Sequence, residues 1–191
     1  LVALMAAVGA GQAPSGGDRL NADVFSCLKV RNIGPMFVTG RVADIELDPK
    51  NPNVWYVASA FGGLWKTTNR GVTFTEIFPK SGTTDAFSLC CVVVDPKDSN
   101  VVWLGTGENH SQRSAHFGTG LYKSTDAGKT WNRVGLENSE HIGKILIDPR
   151  NSNTVYVAVQ GPLFSSGGDR GLYRTTDGGT TWKRILHVND D

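Results

Sequence analysis

Short runs of apolar, β-branched and aromatic residues recur along most of the chain, each bounded by Gly, Pro, Asn or Asp. Alternating or continuous apolar runs of this length predict β-strands, with the turn residues marking their ends. Twelve strands are expected, in three sets of four. The first set is 41–47, 54–59, 64–67 and 73–78. The second is 88–94, 101–105, 121–123 and 131–134, and the third is 141–147, 155–159, 172–174 and 182–186. No stretch shows a convincing helical period.

The three sets share an internal repeat. DPKNPNVWYVAS from Asp48, DPKDSNVVWLGT from Asp95 and DPRNSNTVYVAV from Asp148 are copies of one segment. GLWKTTNRGVTF from Gly63, GLYKSTDAGKTW from Gly120 and GLYRTTDGGTTW from Gly171 are copies of a second. The first segment recurs after 47 and then 53 residues, always in the same order with the second. A period of this size marks a repeat architecture, in which each unit is one supersecondary element stacked on its neighbour.

Both motifs have a mechanical reading. In Asp-Pro-x-x-x-Asn the proline fixes φ for a turn and the Asp side chain caps backbone N–H groups, joining the first and second strands. In the second motif the Asp carboxylate accepts turn N–H bonds while Gly permits positive φ. The closing Trp is expected to pack its ring into its own sheet unit. Asp126 with Trp131 and Asp177 with Trp182 fit this pattern fully, whereas Asn69 with Phe74 reads as a weakened copy.

These residues resemble the Asp-box, or bacterial neuraminidase (BNR), repeat. That repeat occurs in sialidases, sortilin-type receptors, xyloglucan-degrading hydrolases and photosystem II assembly factors. RNIGP from Arg31, GRVADIELDP from Gly40 and GTGEN from Gly105 look most like the sortilin-like secreted bacterial members. The resemblance implies an all-β fold, a partial β-propeller of three four-stranded antiparallel blades with Asp-box turns. It covers 31–191, with blades near 41–78, 88–134 and 141–186. Closed rings begin near four blades, so three blades imply a piece of a longer chain or one completed by partners.

Composition narrows the picture further. Hydrophobic residues make up 39% and charged residues 19%, a globular balance, and the formal net charge of +1 argues against nucleic acid as a partner. Of three cysteines, Cys27 stands apart, while Cys90 and Cys91 adjoin in the strand SLCCVVVD and are expected to point to opposite faces as small buried hydrophobes. Residues 1–30 read as an apolar leader or anchor followed by an extended arm. Gly11-Gln12-Ala13 resembles a leader cleavage site, so an extracytoplasmic protein is expected, periplasmic or secreted, with its N-terminus near a membrane or a partner.

A conformation repeated in every blade serves the fold, and variation marks the face free to specialise. The loops between second and third strands differ: 60–63 is short, whereas 106–120 and 160–171 are long. With the blade-joining loops they gather Asp85, Glu108, Asn109, His110, Arg113, His116, His141, Asp169 and Arg170. Arg41 and His141 open equivalent innermost strands and are expected at the rim of the central channel. The expected binding set is therefore Arg41, Glu108, Asn109, His110, Arg113, His116, His141 and Arg170. Glu108 and Asp85 are the two carboxylates a glycosidase would draw on, but no coherent catalytic set stands out. No metal or cofactor is expected, since one acid and two histidines in a loop are common without metal. The leading expectation is a noncatalytic binding or scaffolding module, an assembly factor on a membrane protein complex with a protein partner. The alternatives are part of a glycoside hydrolase or glycan-binding propeller, and a sortilin-like peptide receptor.

Overall fold

The computed structural model describes residues 40–79, 88–110, 115–187 and 189. Residues 1–30, Asp85 and Arg113, which carry expectations above, lie outside them. Every regular element among the described residues is a strand. Blade 1 contains β1 (Val42–Leu47), β2 (Trp55–Ser59), β3 (Leu64–Thr67) and β4 (Thr75–Phe78). Blade 2 contains β5 (Leu89–Val94), β6 (Val102–Thr106), β7 (Leu121–Ser124) and β8 (Asn132–Arg133). Blade 3 contains β9 (Ile142–Asp148), β10 (Asn151–Val159), β11 (Gly171–Thr175) and β12 (Lys183–Leu186). Each blade is an antiparallel meander with its strands hydrogen-bonded in chain order, as expected for a partial β-propeller.

The core is two seams between blades. Tyr56, Ala58, Leu64 and Phe78 of blade 1 pack against Leu89, Val92, Val94, Val102, Leu104 and Tyr122 of blade 2. Cys90, Cys91, Trp103 and Leu121 of blade 2 pack against Ile142, Ile145, Ile147, Val155 and Val157 of blade 3. Successive strand residues face opposite sides, so neighbours such as Trp103 and Leu104 go to different seams. Blade 2 is covered on both faces, which is why LCCVVV and VWLGT are almost continuously apolar and buried. The equivalent β1 is covered on one side: Val42, Ile45 and Leu47 are exposed, while the Asp44 and Glu46 carboxylates accept from Val92 N–H (3.1 Å) and Val94 N–H (3.3 Å) on the inner edge of blade 2.

The turn motifs bond as their residue types require. In blade 2 the Asp126 carboxylate accepts from Ser124 Oγ (2.8 Å), Thr130 N–H (2.8 Å) and Thr130 Oγ1 (2.6 Å), while Gly128 N–H donates to Ser124 Oγ (2.8 Å). Blade 3 repeats this set on Asp177, with Thr175 Oγ1 (2.6 Å), Thr181 N–H (2.9 Å) and Thr181 Oγ1 (2.6 Å). Asn69 is a fuller copy than its sequence suggests, with its Oδ1 accepting from Thr73 N–H and Thr67 Oγ1, each at 2.9 Å.

Two sequence expectations are corrected here. The closing tryptophans do not simply fill their own blade. Trp131 Nε1 donates to Ile77 O of blade 1 (3.1 Å), and Trp182 Nε1 donates to Val134 O at the end of blade 2 (2.7 Å). Each ring therefore staples its blade to the one before. Cys90 and Cys91 do not point to opposite faces either. The β5–β6 register slips between Leu89 and Cys91, so Cys90 is the extra residue of a bulge. Both side chains then lie in the same seam.

Candidate functional site

The three blades present one backbone arrangement at the start of their innermost strands. Ala60 N–H donates to Arg41 O (2.8 Å), Gly107 N–H to Ser88 O (2.8 Å) and Gln160 N–H to His141 O (2.9 Å). Arg41, Ser88 and His141 are thus structurally equivalent and carry three different side chains. Ser88 Oγ donates to Ala60 O (2.6 Å), tying blade 2 to blade 1.

Glu108, from the β6–β7 loop, is where the other two meet. Its side chain is almost fully buried and pairs with the half-exposed Arg41 guanidinium of blade 1. Its carbonyl accepts from the His141 ring of blade 3, with Nδ1 at 2.7 Å. Because a carbonyl only accepts, Nδ1 carries the proton. Glu108 N–H donates to His116 O (2.9 Å). One residue of blade 2 thereby bridges blades 1 and 3. Burial holds the His141 pKa below the usual histidine range, although the Glu140 carboxylate partly opposes this. His141 is therefore neutral at pH 7.

Backbone freedom makes this loop possible. Gly107 has φ of 85°, and a Cβ there would run into the Glu140 carbonyl. That carbonyl accepts from Gly118 N–H at 2.6 Å, closing the base of the loop. Asn109 Nδ2 donates to Gly143 O (3.3 Å), and Gln160 Nε2 donates to Asn109 O (3.1 Å). Glu108, Asn109 and Gly118 thus fasten the described parts of the loop to blade 3 and its entry.

Of the predicted binding set, Arg41, Glu108, Asn109, His116 and His141 come together. His110 is exposed. Arg170 has a different occupation, because its guanidinium donates to the carbonyls of Gln160 (2.9 Å), Ser165 (2.7 Å), Gly167 (3.2 Å) and Pro162. It holds its own loop in shape. Asp169 is likewise engaged, accepting from Asn138 N–H at 3.1 Å. Glu108, His110 and His116 do not converge, and among the described residues no three His, Cys, Asp or Glu side chains form a metal-binding group.

Sequence reasoning passed over the aromatic residues of this face. Phe61 stacks on the His116 ring with centroids 4.4 Å apart and an interplanar angle of 25°. Phe117 and Phe164 are exposed, at 70% and 76%. Aligning the three variable loops would have found them, since each holds a single phenylalanine. A half-exposed guanidinium, side-chain amides and exposed aromatic rings are thus carried by the same set of loops, groups whose chemistry suits a ligand with both polar edges and an apolar face. On the opposite face, a cleft of about 330 Å³ runs between β4 and the blade 2 turn, lined by Lys66, Glu76, Ile77 and Lys129 among others. It lies on the seam that Lys66 Nζ closes by donating to Ala127 O (2.8 Å).

Comparison with known proteins gives a consistent set of relatives. No family model matches the chain. It is 32% identical over 159 residues to a probable oligoxyloglucan-reducing end-specific xyloglucanase of Neosartorya fischeri, covering 74% of this chain and 17% of that protein. Among solved structures it is similar to an ancestral GH74 enzyme, with a TM-score of 0.62 and 24% identity over 79% of this chain and 19% of that one. It also resembles YCF48 of Cyanidioschyzon merolae, with a TM-score of 0.53 and 20% identity over 81% of this chain and 40% of that one. The chain spans about a fifth of the length of the first curated relatives it matches.

These relatives overturn the expectation of a noncatalytic scaffolding or assembly subunit. The curated matches are named xyloglucanases, and they fit the carbohydrate-active alternative. Likeness to YCF48 at 20% identity extends to the fold alone.

Proposed function

We propose that this chain is a segment of a glycoside-hydrolase-type propeller acting on xyloglucan or a closely related β-glucan, and that its loop face grips the polysaccharide. The observation that carries this reading is the 32% identity to a xyloglucanase across 159 residues. The geometry supports it. Phe61 and Phe117 offer rings on which the C–H face of a pyranose stacks, and Arg41 offers donors to sugar hydroxyls. Glu108 and His141 are positioning residues, one holding the guanidinium and the other holding the loop that carries Glu108. Hydrolysis needs two carboxylates facing the scissile bond. Glu108 is turned onto Arg41 and buried, so what this reading asks of the described residues of this face is binding. In this reading the Asp-box turns make the stretch from residue 31 onward one propeller domain, and a polymeric glycan substrate puts the protein outside the cytoplasm.

The test is affinity electrophoresis and calorimetry of the whole protein with xyloglucan, cello-oligosaccharides and an unrelated mannan, beside Arg41→Ala and Phe117→Ala. Xyloglucan should bind in preference to mannan. Each variant should weaken it at least about tenfold, or 1.4 kcal/mol, at a temperature where parent and variant are both folded. Equal retention of parent and variants, or no retention on any glucan, would exclude this face as the binding surface.

A further inference from the structure

The seam between blades 2 and 3 holds a pair of thiols that neither the fold nor the proposed glycan site accounts for. Each blade carries a register slip at the same place in its innermost strand: between Val42 and Asp44, between Leu89 and Cys91, and opposite Ala158 and Val159 in blade 3. The slip follows the repeat, so Ala43, Cys90 and Gly143 are equivalent, as are Asp44, Cys91 and Lys144. A bulge of this kind sets two successive residues opposite one, which turns both toward the same side. Only in blade 2 are both of those residues cysteines. Their sulfurs lie 3.0 Å apart, and both residues are buried, at 1% and 2% exposure.

The residue facing them is matched to the sulfurs. Gly105 stands where blades 1 and 3 have Ala58 and Ala158. A Cβ at Gly105 would lie 2.7 Å from Cys91 Sγ and 2.8 Å from Cys90 Sγ. The methyl present in the other blades has given way to the two sulfur atoms and to Ile142 Cγ2, which would lie 2.9 Å away.

We propose that Cys90 and Cys91 are a covalent modification site, forming a vicinal disulfide when the protein folds in an oxidising compartment. The sulfurs need to close from 3.0 Å to about 2.05 Å. The oxidant is a small disulfide or a disulfide-bearing oxidase. One cysteine thiolate attacks a sulfur of the oxidant and expels a thiolate. The neighbouring thiolate then attacks the protein sulfur of that mixed disulfide and expels the second. The protein loses two protons and two electrons, and the oxidant leaves as two thiols. Burial pushes the Cys90 thiol well above its ordinary range, and blade 3 covers the pair, so the bond forms before that seam closes. Adjacent Cα atoms sit only about 3.8 Å apart, against about 4.4–6.8 Å for ordinary bridges, so the bond is strained and reduced more readily than a structural disulfide. Its closed loop is too short to restrict the unfolded chain much, so the bridge tunes the bulge rather than stapling the fold.

The test needs no variant. The whole protein, exported to an oxidising compartment, is unfolded in excess maleimide without reductant and digested with trypsin. Peptide 81–97 contains both cysteines. It should appear unlabelled and lighter than its dithiol form by two hydrogens, and should take two labels after reduction. In graded glutathione buffers it should turn over to the dithiol under conditions that leave ordinary structural disulfides intact. Two labels without prior reduction would overturn the proposal, as would a cross-link from either cysteine to Cys27 or to a second chain. None of these outcomes depends on glycan binding, so this inference and the glycan reading fail separately.

Discussion

The two faces of the blades are built on different rules. On the turn face, Asp126 and Asp177 make the same bonds to equivalent Ser or Thr residues, and Asn69 makes most of them. The interblade links repeat as well. Lys97 Nζ donates to Arg150 O (2.6 Å), and Lys50 Nζ donates to Lys97 O. Ser99 Oγ reaches Asp48 (2.7 Å) as Ser152 Oγ reaches Asp95 (2.9 Å). On the loop face the backbone bonds recur, but the side chains at Arg41, Ser88 and His141 do not. The turn face repeats one turn in three blades and one set of links at two seams. The loop face uses the same scaffold to assemble one arrangement, around Glu108, that occurs once.

That contrast is broken most forcefully at the tryptophan staples. Trp182→Ala removes a half-buried ring set edge-on to Trp103 at 6.2 Å, together with the 2.7 Å bond to Val134 O. It should cost about 3 kcal/mol in a denaturant titration. Phe74 holds the same place in blade 1, is 43% exposed and has no indole N–H. Phe74→Ala should cost about 1 kcal/mol or less. Equal losses at the two positions would mean that the ring serves its own blade and not the seam. On the loop face, Arg41→Met takes the guanidinium from a buried carboxylate and should destabilise by about 2 kcal/mol, less than a fully buried pair because Arg41 is half exposed. A double-mutant cycle with Glu108→Gln should return a coupling of about 1 kcal/mol or more. Additive losses would separate the two residues.

What the sequence made legible follows the same division. The turn acids could be read because each of their bonds closes within four residues, as Asp177 to Thr181 does, and the three meanders because their strands pair in chain order. The partners of Glu108 come from different blades, and no local pattern encodes them. Arg41 and His141 could be paired with each other by counting equivalent strand starts, but that count gives no hint that they share one residue. The cysteines show the opposite failure. Strict alternation sends adjacent strand residues to opposite faces, and a one-residue slip between Leu89 and Cys91 defeats it. Arg170 looked like a binding residue because it is charged and in a variable loop, whereas the open carbonyls of that loop claim its guanidinium.

Acid separates the blades more gently. Hydrogen bonds from Thr130 hold the Asp126 carboxyl well below the usual carboxylate range, and bonds from Thr175 and Thr181 do the same for Asp177. A depressed folded pKa contributes stability that is present above the unfolded value of about 3.9 and is lost as pH falls below it toward the folded value. Asn69 does not titrate, so blade 1 is exempt from this loss. Asp126→Asn with Asp177→Asn should flatten the acid limb of an unfolding curve, and Asn69→Asp should steepen it. An acid limb indifferent to all three would remove the turn carboxylates from the pH response.

The smallest effect, and the one most specific to the loop face, belongs to His141. Its folded pKa is lowered, chiefly by burial, so below about pH 6.5 the unfolded chain takes up a proton that the folded chain resists. Stability should therefore decline as pH falls through that window, at a pH where the turn acids are still fully ionised. His141→Asn keeps a side-chain N–H at the Nδ1 position that can donate to the Glu108 carbonyl and cannot be protonated. Stability at pH 7.5 should change little, while the slope between about pH 5 and 6.5 should shrink. The difference between parent and variant isolates this one residue from the other histidines. A slope that persists unchanged in the variant would mean that the imidazole stays hydrated enough to titrate normally.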